Sequence, residues 1–256
     1  MKVTWFGTAT ILLESGETRL LFDPFNRMNR RLASFDAARF SGCDALFLTH
    51  GHFDHVFAVP DVLSYDGTIN VFCTKTPKES LLKRGVAAER IRLISPGDSL
   101  SFGGVDVHVC CGRHIRFDTK YILSVLPKCV FMFPKAFRLL YYIKKLPENG
   151  EIVSYVITAE GKTVVLMGSY GVDPAADYPK APDLFVFPFS GNSGIEPMAR
   201  AFLNGFQPKH ILFDHFDDSF PPLTKRMKVE SYCETLRSVY PDIKLTIPKE
   251  GIAIEI

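Results

Sequence analysis

Short apolar runs broken by turn residues fill the first third of the chain. Residues 3–6, 10–14 and 18–22 are separated by Gly7 and by Gly16-Glu17, the texture of consecutive antiparallel strands. Residues 44–48 are apolar after the first position, which predicts a strand buried on both faces. That strand runs straight into Thr49-His50-Gly51-His52-Phe53-Asp54-His55. Further strands are expected at 69–73, 91–94, 99–102, 105–111, 152–159, 163–167, 184–187, 211–214, 244–247 and 252–256. Helices are expected at 77–84, 134–146, 195–204 and 225–239. Two β-sheets packed together with helices outside satisfy this mixture. The expectation is therefore one α/β (α+β) domain spanning 1–256, a four-layer αββα sandwich.

One stretch breaks the pattern. Residues 116–147 carry seven Lys or Arg against Asp118 alone, a charge of +6, while the whole chain of 256 residues carries +2. The rest of the chain therefore sums to −4. Interleaved with these cations are Phe117, Tyr121, Phe131, Phe133, Phe137, Tyr141 and Tyr142. This basic aromatic segment reads as an insertion with three readings: a wall of the active site, a homodimer contact, or a patch facing a lipid surface. Nucleic acid is not expected as a partner, because no recognition motif is present and the remaining chain is net negative. No apolar run approaches the length of a membrane-spanning helix. The first residues read as a strand rather than a signal peptide, and six cysteines are too few for a disulfide framework. A cytoplasmic protein with reduced thiols is expected.

The string His50-x-His52-x-Asp54-His55 carries the chemistry. Imidazole and carboxylate groups suit Zn²⁺, with Mn²⁺ or Fe²⁺ as alternatives. Gly51 lets the backbone turn so that alternate imidazoles converge while Asp54 and His55 aim at a neighbouring point.

With this string after a buried strand, and with Leu20-Leu21-Phe22-Asp23-Pro24 before it, the sequence resembles the metallo-β-lactamase superfamily over nearly its whole length. The resemblance implies the fold of that name and a metal-dependent hydrolase. It places His50 and His52 at one metal, Asp54 and His55 at a second, and Asp23 behind the ligands. The third histidine of the first site is expected to be His114, past a strand end, rather than His108 within the strand. His215, ending an apolar strand, is expected to complete the second site. His210, at the start of that strand, reads as a solvated residue. Asp217 or Asp218 orients His215, meets substrate or simply solvates the loop. Cys110 and Cys111 read as buried thiols rather than ligands. The superfamily's bridging aspartate is replaced: Gly168-Ser169 follows the strand, so Ser169 stands where a carboxylate belongs, with Asp173 as a remote substitute. One or two metals are then compatible with the sequence.

The resemblance implies a small-molecule substrate attacked by metal-activated hydroxide, with Asp54 and His55 as the catalytic pair. A phosphodiester and a lactone or ester both fit. Arg113 and Arg116 beside His114, and the backbone amides of 190–194, would suit an anion, although the latter also read as a helix cap and turn. The alternative is a catalytically quiet metal-binding scaffold, motivated by Ser169.

Overall fold

A computed structural model of the chain describes every residue except 116–117, 146–149, 170–177, 190–191, 193, 195–199 and 201–202. The first sheet holds β1 (Lys2–Trp5), β2 (Ile11–Ser15), β3 (Thr18–Phe22), β4 (Ala45–Phe47), β5 (Asn70–Cys73) and β6 (Ile91–Leu93). The second holds β7 (Ser99–Phe102), β8 (Val105–Cys111), β9 (Val153–Ala159), β10 (Lys162–Met167), β11 (Leu184–Pro188), β12 (His210–Asp214) and β13 (Lys244–Thr246). The last strand, β14 (Ala253–Glu255), returns to the first sheet beside β1, giving the order β14-β1-β2-β3-β4-β5-β6. The second sheet runs β13-β12-β11-β10-β9-β8-β7. This is the expected αββα sandwich.

Strand alternation decides which layer each side chain joins. Ile11, Leu13, Leu20, Phe22, Ala45 and Phe47 face the second sheet, while their neighbours Leu12, Leu21, Leu46 and Leu48 face outward into a separate cluster. That outer cluster is closed by α1 (Phe53–Val56), α2 (Val59–Tyr65) and α3 (Lys75–Lys83) through Val56, Val59, Val62 and Leu81. On the far side, α6 (Val229–Val239) buries Val229, Tyr232, Cys233 and Leu236, a spacing that forms one helix face. Between the sheets, Phe22 stacks on Phe47 at 5.3 Å and Phe47 on Phe72 at 5.1 Å. Tyr155 from β9 packs against both Phe22 and Phe47 and donates its hydroxyl to the Leu48 carbonyl at 2.6 Å. The strand that delivers the histidine string is thus clamped from the opposite sheet.

The structure departs from the sequence reading in four places, each with a physical cause. The segments α1 and α2 are too short to show a period, and packing on the first sheet supplies their stability. The helix expected from 225 begins only at Val229, because the Met227 N–H is committed to the Phe216 carbonyl at 2.8 Å. The basic insertion holds two helices, α4 (Thr119–Phe131) and α5 (Phe133–Lys145), where one was expected. Helix α4 tolerates Pro127 in its interior and starts on Asp118, whose Oδ1 accepts the Tyr121 N–H at 2.7 Å. His210 is buried, not solvated: β12 lies between β11 and β13, and His210 Nε2 sits 2.8 Å from the Thr246 hydroxyl. The helix expected at 195–204 falls largely outside the described residues.

Burial, helped by the charge of Lys244, depresses the pKa of His210 to about 4. The ring is therefore neutral in the fold but takes a proton in the unfolded chain below its ordinary value. Its stabilisation is complete above about pH 6.5 and is lost as pH falls toward about 4, at no more than about 1.4 kcal/mol per pH unit. Denaturant titrations across this window should show a shallower acid loss for His210→Asn than for wild type.

Candidate metal centre and active site

The site is assembled where β4 and the parallel strands β10 and β12 end. At the end of β3, Asp23 adopts a left-handed backbone (φ +45°), which aspartate tolerates better than most residues. Its carboxylate is buried and accepts both the Thr49 N–H, at 2.9 Å, and the Thr49 hydroxyl, at 2.7 Å. The same carboxylate lies 2.9 Å from His55 Nδ1. The Thr49 oxygen lies 3.0 Å from His50 Nδ1 and 3.2 Å from His55 Nδ1. Occupied at Nδ1 in this way, both rings present Nε2 as a lone-pair donor. Gly168, just past β10, abuts this arrangement: a Cβ there would lie 2.1 Å from the Thr49 Cβ.

The opposite wall is built on Thr8. Gly7 (φ +103°) turns the chain out of β1, in space where a side chain would meet the Arg27 guanidinium at 2.6 Å. The Thr8 carbonyl accepts the His215 N–H at 2.9 Å, and His215 itself is left-handed (φ +55°). Asp214 Oδ2 stands 3.0 Å from His215 Nδ1. Asp217 receives the Thr8 N–H and hydroxyl and pairs with buried Arg27, which also reaches Glu250.

Six candidate ligands fall into two groups. His50, His52 and His114 bring one nitrogen each within 4.8 Å of one another, and so do the donor atoms of Asp54, His55 and His215. The Nε2 atoms of His55 and His215 are 3.2 Å apart. His50 Nε2 is buried with no hydrogen-bond partner. His114 turns Nδ1 to the Ile115 carbonyl and lines the cavity. An orphaned imidazole nitrogen beside converging donors fits a divalent ion better than it fits protein hydrogen bonding.

The electrostatics agree. Burial, reinforced by neighbouring rings, drives His50 well below the usual histidine range and His52 to about 4, so both are neutral donors. Burial opposes the charge of Asp54, yet His55, His215 and His52 hold its carboxyl below the ordinary value. Burial alone would depress His215, but Asp214, Asp54 and Asp23 lift it to about 9. A carboxylate field that favours imidazolium at this end of the cavity equally favours a metal cation.

Other candidates are placed elsewhere. His108 bonds the Ser99 hydroxyl at 2.9 Å on the sheet face. Cys110 is buried, and neither it nor Cys111 joins a donor group. Asp217 serves Thr8 and Arg27, whereas Asp218 pairs with Lys128 at 2.8 Å, so neither orients His215. Asp214 takes that position, a role the sequence reading missed although an acid ending an apolar strand directly before the histidine was its signal. Thr8 was also missed because its partners His215 and Asp217 lie across the sandwich, and Thr49 because its link to Asp23 depends on the pairing of β3 with β4. Ser169 lines the cavity and accepts the Ile115 N–H at 3.1 Å, bracing the residue after His114. Asp173, Arg116 and part of 190–194 lie outside the described residues, and Arg113 is exposed on a separate cleft.

The cavity, about 250 Å³, opens over the two donor groups. The family described as "Beta-lactamase superfamily domain" matches residues 18–216. The chain belongs to the metallo-β-lactamase superfamily. A metal-dependent hydrolase of Ruegeria pomeroyi is 28% identical over 266 residues, with all of both chains covered. Among solved structures, the metallo hydrolase Igni18 of Ignicoccus hospitalis has a TM-score of 0.64 at 15% identity, covering 100% of this chain and 98% of its own. CmlA of Streptomyces venezuelae, a diiron β-hydroxylase, has a TM-score of 0.65 at 11% identity, covering 100% of this chain and 54% of its own. These two likenesses show the fold. This superfamily member is a metal-dependent hydrolase.

Thr49→Val keeps the side-chain shape but removes the hydroxyl that joins Asp23 to both rings. Chelator competition should show metal affinity falling about 10- to 100-fold. Gly168→Ala should produce a comparable loss by displacing Thr49, with the thermal transition checked in parallel.

Proposed function

We propose that this hydrolase cleaves a neutral lactone or ester of small-molecule size, at a centre in which His50, His52 and His114 hold one metal ion and Asp54, His55 and His215 a second. The observation that carries the substrate class is the cavity wall. Phe53, Tyr121, Ile143, Phe220 and Leu223 line it, and among the described lining residues there is no Lys or Arg. An apolar wall accepts an uncharged acyl or ring portion, and among the described lining residues no Lys or Arg would join the metal ions in receiving a charged one. Lys128 is tied to Asp218 and the Thr224 carbonyl, and Arg27 to Asp217 and Glu250.

Zinc is the favoured ion, with manganese or iron compatible with the same donors; when bound, such ions supply Lewis acidity and lower the pKa of water toward neutrality. The protein's own contribution is orientation and charge. Asp23 and Thr49 fix the His50 and His55 rings, and Asp214 steadies His215. Asp54, held ionised, faces the cavity and accepts a hydrogen bond from the attacking water, aligning it with the scissile carbonyl. His55 brings Nε2 within 3.9 Å of Asp54 Oδ1 while Asp23 holds its Nδ1. Ser169 brings a neutral hydroxyl to the cavity where the superfamily resemblance implies a carboxylate, so it would give a second ion less negative charge. Six cysteines, all free, fit a reducing compartment, and we place the protein in the cytoplasm.

Elemental analysis of protein purified without chelator should find two metal equivalents. His50→Ala should lose one of them, together with turnover on a lactone and ester panel. Turnover of phosphodiesters but not of lactones or esters would reverse the substrate assignment. Ser169→Asp should raise the affinity of the more weakly held ion, read by chelator competition.

A further inference from the structure

The basic insertion forms a helical hairpin whose outer side is apolar and uncovered. Helix α5 buries Ala136 and Leu139 but exposes Phe133, Phe137, Leu140 and Tyr141, a continuous stripe at helical spacing. On α4, Ile122, Leu126 and Val130 repeat every four residues and are likewise exposed. The turn between the helices is the extreme case, with Phe131 94% exposed and Phe133 65% exposed. A run of exposed apolar side chains on adjoining helices marks a contact surface rather than ordinary surface scatter.

Charge indicates the occupant. Lys120, Arg138 and Lys144 are exposed along the same hairpin. Its one acid among the described residues, Asp118, is committed to capping α4. Lys135 donates to the Met28 carbonyl at 3.0 Å, and the loop it holds carries the exposed Arg30 and Arg31. A two-fold contact between copies would set this cationic face against itself, like charge opposing like. An anionic surface would neutralise it while the stripe enters an apolar phase. No helix among the described residues is long and apolar enough to cross a membrane, so the hairpin would lie in the interface plane.

We propose that the α4–α5 hairpin docks the protein on an anionic lipid bilayer, with Phe131, Phe133 and Phe137 in the headgroup–acyl boundary and Lys120, Arg138 and Lys144 on the lipid phosphates. This does not depend on the substrate. The inner sides of the same helices supply Tyr121 and Ile143 to the cavity, so one hairpin joins the docking face to the active-site wall.

Vesicle co-sedimentation of the full chain tests it. Binding to phosphatidylcholine vesicles containing phosphatidylglycerol should be about a hundredfold tighter than to phosphatidylcholine alone, and should weaken with salt. The triple variant Phe131→Ser, Phe133→Ser, Phe137→Ser should lose binding with an unchanged melting temperature, because all three side chains are exposed. Lys120→Glu, Arg138→Glu, Lys144→Glu should abolish the preference for the anionic lipid. Failure to sediment with either vesicle would overturn the proposal. So would a solution dimer, seen by analytical ultracentrifugation, that the triple phenylalanine variant dissociates, since it would assign the face to a second copy.

Discussion

The buried Asp23 carboxylate is the tie between the frame of this molecule and its chemistry. It sits at the end of β3, receives two hydrogen bonds from Thr49 and lies against the His55 ring. Burying an ion is costly unless every lone pair is used, and here the surroundings use them. Through Thr49 the same carboxylate governs His50. A loop that would otherwise sample many conformations is thus held at the point where its imidazoles are useful. Gly168, from the opposite sheet, has no side chain because Thr49 occupies that space.

The sandwich makes that tie durable. Phe22, Phe47 and Phe72 form a ladder across three parallel strands, and Tyr155 locks it from the other sheet with a hydrogen bond to the carbonyl just before Thr49. Rigid strands therefore end where flexible chemistry begins. The second half contributes by the same logic: β12 is wholly buried, and Asp214 and His215 emerge at its end. Two left-handed residues, Asp23 and His215, turn the chain sharply there. Such backbone strain is sustained by the contacts around it.

Ser169 has a structural task of its own beside the two donor groups. Its hydroxyl braces the Ile115 amide next to His114, a structural task that a carboxylate would not perform in the same way. The cavity around it is walled by apolar side chains from the insertion as well as from the loop carrying Phe220 and Leu223. Lys120, Arg138 and Lys144 are exposed, while Lys128 and Lys135 are held by Asp218 and the Met28 carbonyl.

How much was legible in sequence varies with the range of the interaction. The histidine string and the αββα layering could be read locally, since strand period, turn residues and donor chemistry are written in neighbouring positions. The cationic, aromatic character of 116–147 was equally visible. The second helix of that insertion was not, because an internal proline masked α4 and its stability comes from packing. The burial of His210 followed from its place between two parallel strands, which pattern alone does not reveal. Thr8 acquired its role only when segments about two hundred positions apart met, and Thr49 when β3 and β4 brought it to Asp23, whereas Asp214 acts on the next residue. Sequence by itself determined the donor types and the succession of strands and turns, because both depend on chemistry and period. Tertiary structure alone decided which nitrogen of each ring faces the cavity, what holds it there and where the insertion's charges point. Those properties belong to distances between segments, not to the segments themselves.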